Sequence, residues 1–173
     1  MPSSTVISDR EFVLPPYGRR IILSSVSSDS HTWNLVYLQL LLEEWGHEVH
    51  NLGACVPDDL VLRECRDHRP DLVVISSVNG HGFLDGRRLI TRLRREPDLA
   101  QLPVVIGGKL GTDGAAGGAH GPALRTAGFT AVFEGDAAID GFRAYVRQVP
   151  ALAQGGPPAL AQAGPPALAV AAV

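Results

Sequence analysis

RIILSSVSSDSHTWNLVYLQLLLEEWG, residues 20–46, is the stretch whose reading decides the fold. Arg20–Val26 is a short apolar run, the pattern of a strand buried on both faces. Trp33–Trp45 then sets Leu35, Leu38, Leu41 and Leu42 at helical spacing, and Gly46 follows as a stop. Strand and helix make one βα unit. Between them lies a loop, Ser27-Ser28-Asp29-Ser30-His31, that carries more chemistry than a turn requires.

The unit repeats along the chain. His47–Leu52 alternates around Val49, and Pro57-Asp58-Asp59 opens a helix that runs through Arg69. Asp71–Ser76 (DLVVIS) reads as a strand. Leu84–Arg95 reads as a helix with Leu89, Ile90 and Leu93 inward and Arg87, Arg88, Arg92, Arg94 and Arg95 on a solvated face. Pro103–Ile106 is a fourth strand, Ala119–Ala127 a short helix, Thr130–Phe133 a fifth strand and Asp136–Val146 a closing helix. Alternation with short connections predicts an α/β fold, a flavodoxin-like or Rossmann-like doubly wound five-stranded parallel sheet in one domain. The expected strand order is 2-1-3-4-5. The domain is expected over 19–149. An arm, 1–18, precedes it, and a Pro/Ala-rich flexible tail, 150–173, repeats one phrase as PALAQGG, PPALAQAG and PPALAVAAV.

Composition narrows the function classes. In 173 residues, 45% are hydrophobic, enough for a sizeable core, and the net charge is −3. Such a balance draws the chain neither to nucleic acid nor to an anionic membrane. Cys55 and Cys65 are too few for a disulfide framework and have no zinc spacing, so they read as reduced thiols. The N-terminus lacks the apolar core of a signal peptide, and no run reaches the ~18 apolar residues of a membrane helix. The expectation is a cytoplasmic protein.

In a doubly wound sheet, ligands bind at the carboxyl ends of the strands where the order reverses. Three loops are therefore nominated. After strand 1, Asp29 and His31 stand two apart, so in extended chain both point the same way. The carboxylate can fix the tautomer of the imidazole, as behind a metal-ligating histidine. The same pair also fits the orienter and base of a nucleophilic triad, with Ser76 as a conceivable nucleophile that lacks an elbow motif. A plainer alternative is that Asp29 or Ser30 only caps the following helix. After strand 3 comes Ser76-Ser77-Val78-Asn79-Gly80-His81-Gly82, with hydroxyls and glycines that suit a close ligand. After strand 4 comes Gly107-Gly108-Lys109-Leu110-Gly111-Thr112-Asp113, where paired glycines let a bulky planar group approach the backbone. Phosphate-binding glycine motifs are absent, and strand 3 does not end in Asp. His47, His50, His68, His81 and His120 show no metal-motif spacing.

Asp29-Ser30-His31, then Ser76-Ser77-Val78, then Gly107-Gly108 resembles the Asp-x-His-x-x-Gly … Ser-x-Leu … Gly-Gly signature of cobalamin (B12)-binding domains. The runs SSDSHTWN, VVISSVNGHG, VVIGGKLG and AGFTAVFEGD look most like small (sigma) subunits of coenzyme B12-dependent glutamate mutase, or methylaspartate mutase. The resemblance covers residues 20–147 and departs at Asn34, in place of the glycine, and at Val78, in place of the leucine. It implies adenosylcobalamin as cofactor, with His31 as the lower axial ligand of cobalt and Asp29 as its hydrogen-bond partner. It also implies that Ser76 and Val78 line a cleft for the displaced nucleotide tail, which runs beside Gly107 and Gly108. By position, Ser28, Ser30, Thr32, Asn34, Ser77, Gly80, Lys109, Leu110, Gly111, Thr112 and Asp113 complete the pocket. The implied activity is a radical isomerisation of glutamate and 3-methylaspartate. The substrate would be held by a separate large (epsilon-type) barrel subunit, with room for a homodimer within the complex and no catalytic residue here beyond the cobalt ligand. Two alternatives belong to other classes: a corrinoid carrier for methyl transfer, and a non-catalytic B12-binding regulator.

Overall fold

The computed structural model describes residues 18–112, 120–135 and 137–149. The arm, the tail and Asp113 from the sequence reading lie outside these residues, apart from Gly18 in the arm. Ten elements alternate: β1 (Arg20–Ser25), α1 (Trp33–Glu44), β2 (Glu48–Asn51), α2 (Asp58–His68), β3 (Leu72–Ser77), α3 (Gly82–Arg95), β4 (Val104–Gly108), α4 (His120–Ala127), β5 (Ala131–Phe133) and α5 (Ala138–Gln148). All strand pairs are parallel, in the order β2-β1-β3-β4-β5. This is the α/β, doubly wound arrangement expected from the sequence.

The central strand explains the two-layer cover. All six residues of β3 are buried, and successive side chains point to opposite faces. Val73 and Ile75 pack with Val61, Leu62, Leu89, Ile90 and Leu93 of α2 and α3. Leu72 and Val74 pack with Leu35 and Leu42 of α1 and Phe142 and Val146 of α5. α1 itself departs from a simple amphipathic helix. Leu35 and Leu42 are buried, but Trp33, Val36, Tyr37 and Leu40 form an apolar stripe on the outside, with Trp33 63% and Leu40 62% exposed.

Two sequence expectations are corrected. Gly107 and Gly108 are not loop residues: β4 runs through them, paired with Ser76 and Ser77 of β3. A Cβ on Gly107 would lie 2.8 Å from the Phe133 carbonyl oxygen, and one on Gly108 only 2.2 Å from that of Ser77. Close strand packing alone therefore requires both glycines. The arginines of α3 are not uniformly solvated either. Arg94 donates to the carbonyls of Leu99 (3.1 Å), Ala100 (3.1 Å), Leu102 (2.8 Å) and Gly128 (2.8 and 2.9 Å) and ties the α3–β4 loop to the turn between α4 and β5. Arg88 bridges Asp58 (2.8 Å), Asp85 (2.6 Å) and Ser27 (2.7 Å), and Arg92 pairs with Asp58 and Asp59. Arg87 and Arg95 are exposed. Cys55 and Cys65 are free thiols, and burial, reinforced by Glu64, pushes Cys65 up to about 12. Among the described residues, no helix is long and apolar enough to cross a membrane.

Candidate functional site

The strand order reverses between β1 and β3, and their carboxyl ends bring Ser25, the Val26–Thr32 loop and Ser77–Asn79 together. Asp29 sits at the junction with no solvent exposure. Its backbone is held on both sides: its N–H donates to Val26 (3.0 Å), and its carbonyl accepts from the Ser25 hydroxyl (3.0 Å) and the Cys55 N–H (2.9 Å). Its carboxylate accepts five hydrogen bonds. Oδ2 takes the Val78 N–H (2.6 Å), the Ser77 hydroxyl (3.1 Å) and the Asn79 N–H (3.3 Å). Oδ1 takes the His31 N–H (3.1 Å) and contacts His31 Nδ1 at 2.7 Å.

Burial by itself raises the carboxyl's proton affinity. The donors from Val78, His31 and Ser77 outweigh it, so Asp29 titrates below its ordinary value and is an anion at neutral pH. A buried anion facing Nδ1 selects the tautomer with a proton there, which leaves the lone pair on Nε2. The His31 side chain is 47% exposed, so this lone pair belongs to a ring held from within and open from without. That is the chemistry of a metal ligand or a base. The capping alternative fails, because the N-cap of α1 is Thr32 with no side-chain cap bond, while the Asp29 carboxylate is engaged with β3 and His31. The triad alternative finds no support among the described residues: the Ser76 oxygen accepts from Asn34 Nδ2 (2.8 Å), and His31 bonds to Asp29 rather than to Ser76.

Asn79 braces the loop pair. Its Nδ2 donates to the Ser28 carbonyl (2.9 Å) and hydroxyl (3.1 Å), and its Oδ1 accepts from the His81 N–H (2.9 Å). Beside this platform, between α1 and α5, opens a narrow cleft of about 60 Å³. Leu38, Phe133, Ile139 and Phe142 wall it, and Ser76, Gly107 and Gly108 form part of its floor. Asn34 is 4% exposed, and its Oδ1 has no hydrogen-bond partner. Pairing with Ser76 thus uses only one end of the amide, and a buried acceptor is left for a donor to satisfy.

The proposed site residues divide into three groups. Ser28, Asp29, His31, Ser77 and Val78 form the polar platform, while Asn34, Ser76, Gly107 and Gly108 meet at or next to the cleft. Ser30, Thr32 and Lys109 are exposed around them. Val78 meets Asp29 through its backbone and is not among the cleft's lining residues. Leu110, Gly111, Thr112 and Gly80 turn toward α3 and α4 instead. Leu110 is a core side chain, and Gly80 and Gly111 crowd against Thr112 and His120. The α5 wall was not legible in the sequence, where Asp136–Val146 reads only as a closing helix.

The family model of the B12 binding domain matches residues 19–121. The glutamate mutase sigma subunit 1 of Haloarcula marismortui is 30% identical over 120 residues, 68% of this chain and 77% of that protein. The glutamate mutase sigma subunit of Fusobacterium nucleatum is 29% identical over 94 residues, 54% of this chain and 68% of that protein. Among solved structures, a cobalamin-binding protein from Desulfitobacterium hafniense superposes with a TM-score of 0.60 at 24% identity. That match covers 75% of this chain and 58% of the other.

Proposed function

The chain belongs to the B12-binding domain family, and from that premise we propose that it is the cobalamin-binding subunit of an adenosylcobalamin-dependent carbon-skeleton mutase. The reaction is the interconversion of glutamate and 3-methylaspartate, carried out with a large barrel subunit that holds the substrate. The carrying observation is the 2.7 Å contact between the buried Asp29 carboxylate and Nδ1 of the half-exposed His31. The named homologues support the choice of mutase.

The residues present fit the cofactor. His31 Nε2 would ligate the cobalt, with the ring held by Asp29. The nucleotide tail would widen the narrow cleft and run past Ser76, Gly107 and Gly108, where the orphaned Asn34 Oδ1, beside Ser76, would accept a hydrogen bond. When bound, the cofactor supplies a radical through homolysis of its cobalt–carbon bond. The chain's own part is to fix the tautomer and direction of one imidazole, keep its Asp29 partner anionic, and wall the tail from water. The outward stripe of α1, Trp33, Val36, Tyr37 and Leu40, begins two residues after His31. A partner that closes over the cofactor would bury it, and contiguous exposed apolar faces are characteristic of such contacts.

The test is electron paramagnetic resonance of the Co(II) form with nitrogen-15-labelled protein. A changed superhyperfine pattern supports ligation by His31, and an unchanged one rejects it. Assay of 3-methylaspartate formation with and without the large subunit separates the chemistry from the binding. An assembled pair that binds cobalamin but forms no product rejects the mutase reading and keeps the cofactor reading.

A further inference from the structure

Three side chains far from that loop converge on one point. His50 lies on the edge strand β2, and Glu64 and His68 lie one helical turn apart on α2. Alternation along β2 directs Val49 to the α1 core, so His50 points to the opposite face, where α2 packs. Glu64 Oε2 is 3.3 Å from His50 Nε2 and 3.2 Å from His68 Nε2. The two imidazoles stack at 4.2 Å between centroids, and all three ligand atoms lie within 4.8 Å of one another. The histidines alone show no metal-motif spacing along the chain; Glu64 is what joins them. The spacing carried half the signal, because Glu64-x-x-x-His68 is an i, i+4 pair on one helix face. The other half came from a strand 14 residues earlier.

We infer that His50, Glu64 and His68 form a binding site for a divalent transition-metal ion of the zinc type. Ligand atoms at ~2.0 Å from a tetrahedral ion are ~3.3 Å apart, and the two nitrogen–oxygen separations match that edge. Two imidazoles and a carboxylate are the donor set of open zinc sites, with water in the fourth position. Solvent reaches the site, since His50 is 47% and His68 48% exposed, while Glu64 is held at 19%. Arg63 Nε, 3.8 Å from the other oxygen, Oε1, directs Oε2 toward the histidines. Binding requires each ring as its Nδ1–H tautomer, which turns both Nε2 lone pairs and the carboxylate on the ion. The ion would clamp the four-residue edge strand β2 to the last turns of α2.

The competing account is a His–Glu–His hydrogen-bond cluster that binds no metal. Calorimetric titration of the untagged, metal-stripped full chain with Zn²⁺ separates the two. One ion per chain is expected, with a Kd of about 10 µM or tighter. His50→Gln, Glu64→Gln and His68→Gln should each weaken it at least about tenfold with unchanged circular dichroism. His31→Ala should leave zinc affinity intact, which separates this site from the cobalamin reading. Co²⁺ should give the intense visible bands of a tetrahedral site, lost in the same three variants. Absence of one-to-one binding in the parent chain, or binding that survives all three substitutions, overturns the inference.

Discussion

Asp29→Asn tests the platform with a near-isosteric change. An amide keeps one acceptor oxygen and replaces the other by a donor, so it cannot serve both groups of donors now on the carboxylate. If the NH₂ faces β3, it opposes the Val78 N–H, the Asn79 N–H and the Ser77 hydroxyl. If it faces His31, only the His31 N–H is left unpaired, because Nδ1 can shed its proton and accept. The second orientation costs less. One stranded buried N–H is worth about 1–3 kcal/mol of stability, and that is the expected loss in urea unfolding. The same flip moves the ring proton to Nε2 and removes the lone pair that would meet cobalt. Cobalamin affinity, followed by the absorption change on titration, should fall about 10–100-fold. The sign with pH is set by the carboxyl's depressed value. Its stabilisation is complete above the ordinary 3.8 and is lost as pH falls through the lower folded value, so the gap between parent and variant closes in acid. Unchanged cobalamin affinity in a destabilised Asp29→Asn would reduce Asp29 to a structural anchor. Unchanged stability would refute the hydrogen-bond argument itself.

Gly108→Ala should lower stability by about 2 kcal/mol or more, since its Cβ would lie 2.2 Å from the Ser77 oxygen at a φ of +107°; an unaltered urea midpoint would contradict the strand-packing reading. Arg94→Met removes the donor shared by the carbonyls of Leu99, Ala100, Leu102 and Gly128, of which Leu99 keeps the Leu102 N–H. A loss of about 2–4 kcal/mol in the same assay is expected, and a loss under about 1 kcal/mol would mean that water replaces the guanidinium. Leu40→Glu, on the outer stripe of α1, should leave the chain's own stability and cobalamin binding in place but weaken association with the large subunit in sedimentation; equal association would place the partner on another face.

The element order, the sheet topology and the placing of Asp29 and His31 at the carboxyl end of strand 1 were legible in the chain. The apolar runs Arg20–Val26 and Asp71–Ser76 are long enough only for strands, and the helices between them force parallel pairing. Parallel pairing in turn sends ligands to the strand ends at the reversal. The Asp29–His31 contact was legible for the same reason, because residues two apart in extended chain share a side. What the sequence left undetermined were relations between residues far apart along it. Asp29 was legible as a partner of His31, but not as the acceptor for Ser77, Val78 and Asn79, which stand 48 to 50 residues away. Gly107 and Gly108 looked like room for a ligand; the tertiary fold shows that they are also room for the neighbouring strands, while both still line the cleft. Arg94 looked solvated until the loop carbonyls closed around it. His50 had no visible partner until β2 was laid against α2. Periodicity and local geometry are properties of the backbone over a few residues and are written in the chain. Which distant donor meets which acceptor depends on register and packing, and those are decided only when the layers close.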